Sequence, residues 1–247
     1  CEGESYIESD YVDWDKFVAA FNIKDNGVMG FDTKSSPNDV VKKAVELGVA
    51  PESEEHPAGT PYWYDDTSDI MLLKEFNGVL GYVKIHFSGN LSRKTYRTQR
   101  IVDYKFGDYY WYHDDKIPVG YVWNTVKPTM FVLYISNMGK MQGKLRNLFN
   151  TFANKFKGMG MIAKQNNGAI VFSLKSGMGA ILTMQKDNVS ILWGELEPVK
   201  DIDISEFEDA CEEDGLPNIS SCGYLNEQFP DKNTIESDTI AVDSAAD

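Results

Sequence analysis

Histidine and cysteine are scarce in this chain, three of each in 247 residues. A zinc or iron site draws several Cys or His ligands from short spacings, and His56, His86 and His113 stand far apart, so no metal is expected. His-Glu-x-x-His, Gly-x-Ser-x-Gly and Walker-type loops are missing as well, which removes the commonly recognised metalloprotease, serine hydrolase and nucleotide-binding classes. No stretch approaches the roughly 20 consecutive apolar residues that a membrane-spanning helix needs. Basic residues are outnumbered, 24 against 38 acidic ones for a net charge of −14, which argues against nucleic-acid binding. No residue constellation specifies a reaction, and no cofactor is expected.

What the chain does contain is concentrated between Pro128 and Leu196. Thr129 to Ser136 has the content of a strand. Met141, Leu145, Leu148, Phe149, Phe152 and Phe156 then recur three or four residues apart. That spacing predicts an amphipathic helix over about 140–157 whose apolar stripe faces a sheet, with Lys140, Lys144, Arg146, Lys155 and Lys157 mostly off the stripe. Ala169–Lys175, Ala180–Lys186 and Val189–Leu196 are rich in β-branched and aromatic residues and are separated by Gly177/Gly179 and by Asp187-Asn188. They predict an antiparallel meander. The fold class expected is α+β, an antiparallel sheet packed against the amphipathic helix, with helices at the N-terminal side.

Trp14, Phe17, Val18 and Phe21 mark the first of those helices, and Ser36-Pro37 opens a second that Gly48 closes. Asp25-Asn26-Gly27 between them is a turn, because Val28 and Met29 stand where a calcium loop needs oxygen ligands. Ile70–Phe76 fits a helical turn or a strand. Val83, Ile85 and Phe87 alternate as in a half-buried strand, with His86 on the other face. Arg93, Lys94, Arg97 and Arg100 form a basic run leading into Ile101–Phe106, consistent with a hairpin arm, and Tyr121–Val126 fits a further strand. The expected organisation is a tether over 1–10, a single α+β domain over 11–200 with 11–50 as a helical subregion, and an acidic segment with an extended tail over 201–247.

Charge divides the chain more sharply than hydropathy. Residues 1–70 carry 5 basic against 16 acidic groups, 71–200 carry 18 against 8, and 201–247 carry 1 against 14. A basic middle between acidic flanks either holds those flanks against itself or docks on anionic partners.

Two clusters interleave aromatics with acids, Tyr62-Trp63-Tyr64-Asp65-Asp66 and Asp108-Tyr109-Tyr110-Trp111-Tyr112-His113-Asp114-Asp115. Rings that stack on sugar faces beside carboxylates that accept from hydroxyls make Tyr62, Trp63, Tyr64, Tyr110, Trp111 and Trp123 candidate glycan-stacking residues. Ordinary pinning of a loop to a core uses the same residues. His113, or a carboxylate pair among Asp65, Asp66, Asp114 and Asp115, is the material available for a hydrolase. Neighbours on a strand point to opposite faces, however, so His113, Asp114 and Asp115 cannot simply converge.

At the first residue, Cys1 followed by Glu2-Gly3-Glu4-Ser5 resembles a mature bacterial lipoprotein, whose N-terminal cysteine is acylated. The resemblance implies a lipid anchor at Cys1 and, with no Asp after the cysteine, an outer-membrane address facing either the periplasm or the outside. It also implies an oxidising compartment, in which Cys211 and Cys222 are left as a pair for a disulfide. Asp238-Thr239-Ile240 and Asp243-Ser244-Ala245 are similar to the O-glycosylation acceptor of Bacteroidota-type envelope lipoproteins, which makes Thr239 and Ser244 candidate glycan sites.

Three functions follow as expectations. The first is a non-enzymatic envelope lipoprotein acting as an accessory or binding subunit of an outer-membrane protein complex. A surface lipoprotein that binds carbohydrate is the second, and a carboxylate-dependent hydrolase the third.

Overall fold

The computed structural model describes residues 13–49, 64–76, 79–136, 145–185 and 188–207. In chain order they form α1 (Trp14–Ala20), β1 (Gly27–Val28), β2 (Phe31–Asp32), α2 (Pro37–Glu46), β3 (Asp69–Phe76), β4 (Val79–Phe87), β5 (Ser92–Phe106) and β6 (Tyr109–Trp123). Next come β7 (Pro128–Ser136), α3 (Leu145–Lys157), β8 (Gly160–Gln165), β9 (Ala169–Leu174), β10 (Gly179–Met184) and β11 (Asn188–Gly194). The fold is α+β. Seven strands form one sheet in the order β3-β4-β7-β11-β10-β9-β8, whereas, among the described residues, β5 and β6 form a two-stranded sheet of their own, joined at Ser92 by a single bridge to Asp65. The chain divides into two compact units: the described residues of Cys1–Gly30, Lys74–Val83 and Met130–Asp247, and those of Phe31–Leu73 and Lys84–Thr129.

In the first unit β9 to β11 form the predicted antiparallel meander, β8 adds to it antiparallel to β9, and β11 pairs antiparallel with β7. The registers align buried side chains in rows across the strands. Phe131, Trp193, Ala180 and Phe172 form one row, and Leu133, Ile191, Leu182 and Ile170 the next. Against them α3 lays Leu145, Leu148, Phe149, Phe152, Ala153 and Phe156, all buried. The Phe156 ring lies 6.0 Å from Phe172 and 5.7 Å from Trp193. Behind α3 packs α1, capped by Asp13, whose Oδ1 accepts from Lys16 N at 3.1 Å.

Two findings differ from the sequence reading here. Arg146, placed by spacing off the apolar stripe, is buried. Its guanidinium sits 5.8 Å over the Phe149 ring and donates to the Asn167 carbonyl, and burial lowers its pKa to about 10, which leaves it charged at neutral pH. Gly160–Gln165, which carried no strand signal, is the edge strand β8. Along that edge runs the start of the acidic flank. Lys164 Nζ donates to the carbonyls of Lys200 and Ile202, each at 2.7 Å, and Asn166 Nδ2 to that of Ile204 at 2.7 Å. The described start of the flank is held there through its backbone carbonyls.

In the second unit α2 is capped by Ser36, whose Oγ accepts from Asp39 N at 3.2 Å, and Pro37 fills the first turn. Val40, Val41 and Ala44 bury one face of it, and Leu73 N donates to the carbonyl of Val49 at 3.1 Å. Ile70–Phe76 resolves as a strand, part of β3. Ile85 and Phe87 are buried while His86 faces the other way, with Nδ1 2.6 Å from Asp69 Oδ1.

Candidate functional site

The long paired strands β5 and β6 stand out physically. Each has fifteen residues, a span of roughly 50 Å at the rise of a strand. They are joined by the two-residue turn Gly107-Asp108, where Gly107 takes φ +56°, a conformation that favours glycine in a tight hairpin. Among the described residues no third strand lies beside them, and most of the arm is exposed on both faces.

Its base is rooted in the second unit. Leu91 and Ser92 are buried. Leu91 N donates to Thr67 O at 2.8 Å, Asn124 N to Leu91 O at 2.8 Å, and Asn124 Nδ2 to Asn90 O at 2.9 Å. Lys94 Nζ lies 3.2 Å from Asp65 Oδ2, and Lys127 Nζ donates to Lys34 O at 2.9 Å. Here Tyr64 and Trp123 come together, ring centroids 5.8 Å apart and both half-buried.

Register and alternation assign the outer arm two faces. Tyr104 opposes Trp111 and Phe106 opposes Tyr109. Because residues two apart share a face and opposed residues lie on the same side, these four rings form one surface. Tyr104 and Trp111 lie 5.4 Å apart, and Phe106 and Tyr109 are 67% and 73% exposed. The next pair on that face, Ile101 and His113, brings a polar group. A register shift between Val102 and Tyr104 leaves Asp103 outside the pairing and re-aims it. Its carboxylate oxygens lie 2.7 and 2.9 Å from His113 Nδ1.

The opposite face carries Val102, Tyr110, Tyr112 and Asp114. There the rings are covered by cations: Arg100 lies 3.9 Å over Tyr112 and donates through Nε to Asp114 Oδ1 at 3.0 Å, while Lys105 Nζ lies 5.1 Å over Tyr110.

The six aromatic candidates are therefore not brought together. Tyr110 and Trp111 lie on opposite faces near the turn, and Tyr64 and Trp123 sit at the base, roughly 40 Å along the strand from Trp111. Tyr62 and Trp63 lie outside the described residues, as do Cys1, Cys211, Cys222, Thr239 and Ser244. Tyr104, Phe106 and Tyr109 were missed as site members, although two runs of equal length flanking Gly-Asp are a hairpin signal. Among the carboxylates, Asp65 pairs with Lys94 and Asp114 with Arg100, whereas Asp66, at φ +58°, is an exposed turn residue. Among the described residues no group of three His, Cys, Asp or Glu is placed to hold a metal ion.

Asp103 raises the His113 pKa above the ordinary imidazole value, first through the hydrogen bond and then through its charge, with Asp115 and Asp114 adding to it and desolvation opposing. The pairing is thus fully formed below the ordinary histidine pKa and fades as pH rises through the raised one. An NMR titration is expected to place His113 above that ordinary value, and Asp103→Asn to bring it back. A wild-type imidazole titrating at or below it would contradict the pairing.

Compared with known proteins, the chain matches no family model, no curated protein and no solved structure.

Proposed function

We propose that this chain is a non-enzymatic binding subunit of the cell envelope, an accessory to an outer-membrane protein assembly, with the β5–β6 arm as its recognition element. One observation carries the reading: Tyr104, Phe106, Tyr109, Tyr110, Trp111 and Tyr112 are all more than half exposed around the end of a two-stranded arm. Large exposed rings gathered on both faces of one element mark interaction sites, and Tyr, Trp and Arg are the residues that dominate binding energy at interfaces. The rooted base supports the same role, since a ligand group held on a fixed frame loses less entropy on binding.

The envelope setting rests on the likeness of the two tail triplets to the O-glycosylation acceptor of envelope lipoproteins, and acylation of Cys1 is proposed with it. Acyl chains on Cys1 would hold the protein at the membrane, each buried methylene contributing about 0.8 kcal/mol. Intact mass of the native protein is expected to carry the acyl increment, and an unmodified mass removes the anchor.

The arm itself is tested by isolating the full-length protein from gently solubilised native envelopes and identifying what stays bound. A stoichiometric outer-membrane protein should accompany the wild type and be lost when the arm is shortened by joining Tyr96 to Pro118 through a two-residue turn. Equal recovery with the shortened arm, or a lone monomer from the wild type, overturns the reading.

A further inference from the structure

The two faces of the arm differ in what covers them, and the difference points to a ligand class. On the Tyr110/Tyr112 face the rings lie beneath Arg100 and Lys105. On the other face, among the described residues, no cation lies over Tyr104, Phe106, Tyr109 or Trp111, and these rings form two successive cross-strand rows. Strands about 4.8 Å apart and a two-residue repeat of about 6.7 Å give a platform roughly 10 Å on a side once the rings are included. One edge of it is apolar and ends at the turn. At the other edge stand Asp103 and His113, a carboxylate and an imidazole whose Nδ1 is engaged and whose Nε2 is left for a further hydrogen bond.

We infer that this face binds a free neutral oligosaccharide, with the four rings stacking on the apolar faces of one or two pyranose units and Asp103 and His113 meeting hydroxyls at the platform edge. The inference rests on the arm being the recognition element and names its ligand. Three alternatives fit the surface less well. Four rings at these exposures present on the order of 500 Å², taking 150–250 Å² for a fully buried aromatic, below the roughly 800 Å² per partner of a stable protein interface. A second copy stacked on this face alone is therefore under-supported, whereas a protein partner of the arm would engage its other face and its length as well. A bilayer is disfavoured because Asp108 occupies the turn, Asp103 lies on the face, and, among the described residues, each strand leaves one edge of backbone polar groups that hydrocarbon does not satisfy. An acidic polymer meets Asp103 at the platform edge and finds no cation over the rings.

The test is titration of the full-length protein with neutral oligosaccharides (gluco-, manno-, xylo- and N-acetylglucosamine series) and with polygalacturonate, read by tryptophan fluorescence and calorimetry. Binding to at least one neutral series is expected, weakened at least tenfold by Trp111→Ala and by Tyr104→Ala, severalfold by Asp103→Asn, and less than twofold by Tyr110→Ala on the opposite face. Circular dichroism identifies any variant that fails to fold, and Trp111→Tyr, which keeps a ring, should retain most of the affinity. A flat response to every neutral series, binding confined to polygalacturonate, or equal losses from Tyr110→Ala and Trp111→Ala overturns the inference. Arm-dependent recovery of an envelope partner together with a flat glycan response would overturn the ligand while leaving the arm as the recognition element. Recovery of a partner that ignores arm shortening would instead overturn the arm itself.

Discussion

Trp193→Ala is expected to lower the stability of the first unit by about 3–5 kcal/mol, the range for truncating a large buried aromatic. The indole is fully buried, with Phe131 at 5.6 Å and Phe156 at 5.7 Å, so alanine leaves a void between β7, β11 and α3 that close-packed neighbours cannot fill. Its Nε1 also donates to the Lys24 carbonyl at 3.0 Å, tying the turn after α1 to β11. Trp193→Phe keeps most of the volume and loses that bond, so it should cost far less, about 1–2 kcal/mol. Denaturant unfolding followed by far-UV circular dichroism measures both. A loss under about 1 kcal/mol for the alanine variant would mean that the rows across the sheet are not packed as described.

Gly160→Ala should be the second large effect, and its sign runs against the usual rule. In an ordinary strand position alanine improves on glycine by roughly 0.5–1 kcal/mol. At Gly160, however, an added Cβ would stand 2.3 Å from Ser173 O and 2.8 Å from Leu174 Cα. Both are backbone atoms of β9 that cannot rotate away, and Met161 and Ser173 are paired one position on. The edge strand must therefore peel back or shift, with a loss of about 2–3 kcal/mol by analogy with overpacked cores. Gly89→Ala is the matched control, since its nearest contact would be the Val126 side chain at 3.4 Å. Amide exchange in β8 should accelerate in Gly160→Ala alone. Equal behaviour of the two variants would dismiss the close approach.

The same glycine explains why β8 was not legible in the sequence. Gly160–Gln165 is GMIAKQ, with one β-branched residue and a lysine that reaches back to the acidic flank, so nothing in its composition marks a strand. Its place is set by what β9 offers across the ladder. By contrast, α3 and the meander could be read directly, because each has one face that must be buried and a period that says so. Arg146 escaped that logic, since a long guanidinium stem packs as an apolar residue would. The hairpin arm was expected, but its two faces were not legible, for the opposite reason. With no core on either side, Tyr109-Tyr110-Trp111-Tyr112 has no reason to alternate, and a run of four aromatics hides which ring belongs to which face. The register supplies that assignment, and with it Tyr104, Phe106 and Tyr109. The bulge at Asp103 likewise follows from pairing and has no sequence signal of its own. What could be argued from the residues alone, that His113, Asp114 and Asp115 point apart, agrees with their separate partners: Asp103 takes His113 and Arg100 takes Asp114.

Among the described residues, no strand covers the two outer edges of the arm beyond Ser92, which also poses a solubility problem. Each is a row of backbone donors and acceptors on which another chain could grow, the starting geometry of fibrous aggregation. The arm carries its own obstacles to that growth. Pro118 removes a donor from the β6 edge, the register shifts at Thr95/Tyr96 and Val102/Tyr104 break the regular spacing, and Arg93, Arg97, Arg100 and Lys105 set like charges against any second β5 laid alongside. Residues outside the ring platform thus guard the arm against growth strand by strand.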